Sequence, residues 1–318
     1  MQEGVNRMNT NPSTTNEKFT PLNKETLFAN EKDYKSVSFS QDVWRRLKKH
    51  KPAMVSIAVL ITITLLVFVG PFMNEHDATS QNYEMIKLKP TMEGSYWFGS
   101  DDLGRDMWTR TWEGAKVSLL IGVVAALLDV VFGIVYGVIS GYFGGRTDFI
   151  MMRFIEIIVG IPNIIITILL VIILEPGITA IIIAIAVSGW AGMARLVRGQ
   201  VLSLKNKEFI LAARSLGTKP AKMMRVHLIP NMVGPVLVNI SFTIPYAIFA
   251  EAVLSFIGLG VPVPDASLGT LINDGRKFLL TGSPYLLFIP ATILTLIVTA
   301  FSIFGDGLRD AVDPRLRK

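Results

Sequence analysis

The chain of 318 residues contains no cysteine, which excludes disulfides, thiolate nucleophiles and cysteine metal sites. Histidine is scarce too. His50, His76 and His227 are far apart and form no ligand spacing, so no metal site is expected. There is no GxxxxGK[ST] loop, and the chain therefore cannot cradle nucleotide phosphates by that mechanism. No nucleophile or matched acid–base pair stands out either, and an enzyme is not expected. The chain is expected to bind no cofactor of its own.

What it has in abundance is apolar sequence: 51% of residues are hydrophobic and the mean hydropathy is +0.47. Such a composition points to a membrane protein with lipid as its surroundings. The net charge of +6 would suggest a nucleic-acid partner in a soluble protein. Here the Lys and Arg residues cluster between apolar runs, where they act as topology determinants, and no nucleic acid is expected.

A bilayer core about 30 Å thick requires about 20 apolar residues of helix. Residues 53–72 supply that length without a charge. Some fifty residues precede it and Gly70-Pro71-Phe72 is no cleavage site, so it is expected to be a retained helix rather than a signal peptide. Five further spans are expected at 117–140, 149–174, 178–194, 236–257 and 285–305, which predicts an all-α membrane protein with six transmembrane helices. The basic run WRRLKKHK at 44–51 and the eight Lys and Arg residues between Arg195 and Arg225 place both on the cytoplasmic side, and with them both termini. Residues 1–38 read as a flexible polar tail, 39–72 as an amphipathic segment and first span, 73–116 as an extracytoplasmic loop, 117–307 as a five-helix core, and 308–318 as a cytoplasmic tail.

Within the spans, Gly133, Gly137 and Gly141 recur every fourth residue and form a helical face that another backbone can approach closely. Pro162, Pro245 and Pro290 are expected to bend their helices. Asp129, Arg153, Glu156 and Glu251 fall within or near span interiors, where charge is costly. Arg153 and Glu156 are spaced to pair. Two roles are open to Asp129 and Glu251: lining a pathway or holding a coupling ion, and hydrogen bonding between helices.

The inside segment 205–231 predicts two helices. Phe209, Ala212, Ala213 and Leu216 share a face of the first, and Gly217 can end it in a left-handed cap. Thr218 and Pro220 can open the second, which carries Met223, Met224 and Val226 and ends near Pro230. An apolar face with a basic rim suits a docking surface, and also a loop held against the bundle.

LAARSLG followed by HLIPN resembles the EAA loop of permeases in ATP-binding-cassette importers, with Leu211, Ala212, Ala213, Gly217 and Pro230 at the motif's spacing. Leu211 stands where that motif has an acid, and Glu208 lies one turn earlier. RRLKKHKPA, FGSDDLGRDMWTRTWEGAKVSL and FGDGLRDAVDPRLRK extend the match, which runs from about Phe39 to Lys318. Together they resemble the C-type permease subunit of oligopeptide and dipeptide importers, and nickel importers have similar subunits. In the external VPVPDASLG, Leu268 replaces that family's customary tryptophan.

The resemblance implies a type I ABC importer permease fold in a bacterial plasma membrane. It implies a B-type permease partner, two ABC ATPase subunits that carry ATP and Mg, and an extracytoplasmic peptide-binding protein. Gly104, Arg105 and Asp106 of the LGRD motif are expected to form a turn and a charge network with Asp101, Asp102 and Arg110. At the C-terminus Asp306 is expected to reach Arg309 or the neighbours of Asp310 along a short helix that stops at Pro314. A self-contained secondary transporter using Asp129 or Glu251 would instead show inverted repeats, and none is visible.

Overall fold

The computed structural model describes residues 38–313, so the N-terminal tail before Ser38 and Pro314 lie outside the described residues. The chain divides into two compact units, Met1–Asp42 and Val43–Lys318. Of the first, the described part opens helix α1 (Phe39–Leu47). The second comprises the rest of α1 and α2 (Lys51–Val69), α3 (Met107–Phe143), α4 (Gly145–Val159), α5 (Asn163–Leu174), α6 (Ile178–Leu204), α7 (Glu208–Ser215), α8 (Pro220–Phe256), α9 (Leu268–Gly275) and α10 (Tyr285–Val312). Among the described residues, extended pairing is limited to one isolated bridge, Ser100 with Asp106.

Five helices, α2, α3, α6, α8 and α10, are individually long and apolar enough to cross a membrane. The span expected at 149–174 is not one straight helix. It is α4 and α5, bent by 80° at Gly160-Ile161-Pro162, and it gives six spans if the bent pair counts as one. The hydropathy runs on through the break, but Pro162 has no backbone donor and pushes Ile161 away from helical dihedrals. Pro245 and Pro290 instead lie inside continuous helices.

Helix starts are set by local chemistry. His50 Nδ1 accepts from the Ala53 amide at 3.2 Å to cap α2, and Asp106 accepts from the Thr109 amide at 2.8 Å to cap α3. The helices also outrun the expected spans. α3 begins at Met107, within the segment expected to be loop, and α10 continues to Val312, into the segment expected to be a tail.

α6 occupies the centre: 56% of its most apolar stretch is buried, against 28% for α2 and for α10. It packs on α3 along the glycine face. A Cβ placed on Gly133 would lie 2.4 Å from Met193 Cγ, one on Gly137 2.5 Å from the Ala194 carbonyl oxygen, and one on Gly141 2.8 Å from Val201 Cβ. The three glycines thus bring two backbones to a separation no side chain would permit. At the seam's end Arg198 grips Asp148 with two bonds, of 2.5 and 2.6 Å, while Ser140 donates to the same carboxylate. This joins α3, α4 and α6.

Around this pair, Ile121, Ala125, Ile181, Ile185 and Leu254 form one buried cluster. Met223, Leu228 and Met232 join Val197 and Val201 in a second. α2 and α10 pack against the outer side of α3 and α8 through Ile63, Val67, Ile248 and Ile297.

Candidate functional site

The elbow between α6 and α8 is built in four steps. α6 runs past Ala194 to Leu204, and α7 follows after a short turn. Gly217 adopts φ +76° and closes α7 in a Schellman motif: the Thr218 amide donates to the Ala213 carbonyl at 3.1 Å and the Gly217 amide to that of Arg214 at 3.0 Å. Lys219, rather than Thr218, is the N-cap residue of the following helix, with Pro220 in its first turn.

That second helix does not end near Pro230. It winds as a π-helix over Met223–Leu228 and continues to Phe256. The wider winding precedes the position where Pro230 lacks a donor and its ring would crowd an α-helical carbonyl, so the chain passes the proline without stopping. The elbow's second arm is therefore the beginning of the long helix α8, and displacement of one moves the other.

The inward side of the elbow is held by Ile210 and Met223, which are buried, and by Ala213. Its outward side leaves Phe209 and Leu211 nearly half exposed and Leu216 87% exposed. Leu216 caps α7 rather than sharing an inward face with Ala213. Glu208, in the first turn of α7, and Ala212 lie on the exposed side with Leu211. Lys207, Arg214, Lys219, Lys222 and Arg225 are exposed around them, which gives an apolar patch with a basic border.

The intramembrane acids have different surroundings. Glu251 is fully buried, and its carboxylate accepts from Ser118 of α3 at 2.9 Å and from Ser255 at 2.7 Å. Ser118 also accepts from the Leu268 amide at 3.2 Å, so Glu251 joins α3, α8 and α9. Glu156 is about half exposed and pairs with Arg153 at 2.7 Å. It does not line the cavity that contains Asp129.

Asp129 is 97% buried by its 3% exposure, and one of its carboxylate oxygens has no hydrogen-bond partner. It lines a cavity of about 310 Å³ with Asn163, Gly189, Gly192, Asn239, Thr243 and Tyr246, contributed by α3, α5, α6 and α8. Gly189 is needed there, because a Cβ would lie 2.4 Å from the Asp129 carboxylate. Apart from Asp129, these lining residues were not apparent in the sequence, since hydropathy does not reveal which polar positions on separate spans converge.

At the end opposite the elbow, Arg105 pairs with Asp101 at 2.6 Å and Arg110 Nε approaches the same carboxylate at 3.6 Å. Asp106 serves as helix cap and accepts from Asn74 at 2.8 Å, while Asp102 is exposed. Gly104 (φ +72°) cannot be replaced without movement, since a Cβ would meet the Asn82 carbonyl oxygen at 1.7 Å. At the elbow end, Asp306 and Arg309 are both exposed and form no ion pair with each other. Asp310 instead faces His50 Nε2 at 3.7 Å, because α10 packs against the start of α2.

This arrangement of a glycine-zipped helix pair, a broken span and an elbow continuous with a long helix defines an importer permease fold. A solved structure of the MetNI methionine ABC transporter in an inward facing conformation matches with a TM-score of 0.51 and 22% identity, over 64% of this chain and 94% of that one. Residues 133–318 match the family model for the binding-protein-dependent transport system inner membrane component. Residues 38–90 match that for the N-terminal TM domain of oligopeptide transport permease C.

The dipeptide transport system permease protein DppC of Bacillus subtilis (strain 168) is 47% identical over 89% of this chain and 88% of that protein. The oligopeptide transport system permease protein OppC of the same organism is 44% identical, over 89% and 92%. That of Escherichia coli (strain K12) is 41% identical, over 93% and 98%. The chain belongs to the family of binding-protein-dependent transport system inner membrane components, and it is a multi-pass membrane permease subunit.

Proposed function

We propose that this chain is the C-type permease of an ATP-driven oligopeptide importer, forming the translocation pathway with a B-type permease. Two ABC ATPases carry ATP and Mg on the cytoplasmic side, where both termini and the elbow also lie. An extracytoplasmic peptide-binding protein delivers substrate at the opposite end. The names of the relatives, which are oligopeptide and dipeptide permeases, support the substrate class.

The observation that carries the reading is the elbow's continuity with α8. α7 presents Leu211 and Leu216 outward, and its Schellman turn leads into a helix that extends past the cavity. Closure of the ATPases against this surface would tilt α8 as a lever, provided that docking differs in free energy between the open and closed states.

Leu216→Asp tests this without disturbing the core, because the side chain is 87% exposed. The variant should insert and pair with the second permease yet lose most ATP-driven peptide uptake and ATPase co-purification. Normal uptake by the variant would contradict the docking role.

A further inference from the structure

The cavity around Asp129 lies among the membrane-spanning helices. Asp129 is close to the middle of the apolar part of α3 and Thr243 lies well inside α8, while Gly192 stands three residues before Arg195 in α6. Among the described residues no Lys, Arg or His forms an ion pair with Asp129. A carboxylate in this position is costly unless a cation or a proton compensates it.

We infer that Asp129 receives the ammonium group of the passing substrate, with Asn163, Asn239 and Tyr246 forming the remaining polar wall of a transient binding site. This rests on the peptide-importer reading and adds to it a recognition group within the pathway.

Three observations favour an amine over a bare ion. The space of about 310 Å³ is of the size that encloses small organic ligands, whereas a metal ion requires several oxygens packed at about 2–2.6 Å. Among the described residues no group of three or more acidic, His or Cys side chains could hold a metal. The carboxamides of Asn163 and Asn239 offer donors and acceptors suited to peptide amides, and Tyr246, half exposed at the cavity, presents a ring and a hydroxyl to a cation. A single carboxylate with neutral neighbours also binds weakly enough to release its cargo, as a conduit requires.

Gly192 provides a means of testing the site. A Cβ there meets nothing within 4 Å, and the chain has no other cysteine, so Gly192→Cys places a single thiol in the cavity. In the assembled transporter, ethylammonium methanethiosulfonate should modify it about tenfold faster than the ethylsulfonate reagent, the factor expected for one charge-assisted contact. Adding Asp129→Asn should abolish that preference. Asp129→Asn alone should lower trialanine uptake by about tenfold at saturating binding protein, with Asp129→Glu retaining more of it.

Equal rates for the two reagents, or full trialanine uptake by Asp129→Asn, would overturn the inference. If the reagent preference were intact but the unaltered transporter carried no peptide at all, the importer reading would fail and the ligand assignment with it.

Discussion

The glycine seam between α3 and α6 makes a quantitative prediction. Gly137→Ala would set a Cβ 2.5 Å from the Ala194 carbonyl oxygen and 2.8 Å from Val197 Cβ, whereas real Cβ atoms essentially never approach within 3.0 Å. The helices must therefore part by at least about 0.5 Å, since 3.0 − 2.5 is 0.5 and the obstacle is backbone that cannot rotate away. A gap of that size forfeits roughly a quarter of the dispersion attraction at each affected contact. The expected cost is about 1–3 kcal/mol, the range for overpacking.

Gly133→Ala should cost about as much, because Met193 Cγ at 2.4 Å and Cβ at 2.5 Å sit at the root of their side chain and cannot swing away, and Gly141→Ala less, with a nearest approach of 2.8 Å. Gly192→Ala on α6 is the control and should stay within about 0.5 kcal/mol. The assay is thermal inactivation of the purified, detergent-solubilised complex, read as loss of monodisperse assembly. If Gly137→Ala and Gly192→Ala lost assembly at the same temperature, the close approach inferred here would be refuted.

Two further substitutions probe the polar anchors. Glu251→Ala should destabilise assembly by about 2 kcal/mol or more, because it strands the Ser118 and Ser255 hydroxyls in a dry interface; thermal stability equal to that of the parent would count against the anchor. Gly104→Ala should open the loop around Asn82, since the added carbon would lie 1.7 Å from a carbonyl oxygen, and limited proteolysis of residues 73–106 should show earlier cleavage there than in the parent.

The spans were legible because lipid leaves little choice: backbone groups must be satisfied within each segment, and long apolar runs result. Their ends were less so. α6 continues beyond Ala194 because Arg198 finds Asp148, a partner fifty residues away that no window of hydropathy includes. Pro230 reads as a stop and is passed because the preceding turns widen into a π-helix. Pro162 marked the place of the Gly160-Ile161-Pro162 bend, but not its size: the apolar run around it continues, and the 80° angle depends on how α5 packs against α6 through Val171 and Ile181.

In the elbow, Gly217 and Pro220 signalled the turn, while the outward direction of Leu216 depended on where the Schellman cap fell. Asp306 and Arg309 had suitable spacing for a pair, yet packing of α10 against α2 brought Asp310 to His50 instead. The cavity was the least visible feature. Asp129 alone was conspicuous, and Asn163, Asn239 and Tyr246 acquire meaning only when separate helices converge.

The central claim is that the patch presented by α7 is where an ATPase subunit pushes. Leu216→Cys in this otherwise cysteine-free chain permits a site-specific cross-link, measured in the assembled transporter with and without ATP. The expected result is a product joining this chain to an ATPase subunit, with a yield that changes when nucleotide closes the ATPases. A cross-link confined to the extracytoplasmic binding protein, or labelling of residue 216 only from the outside of the cell, would contradict it.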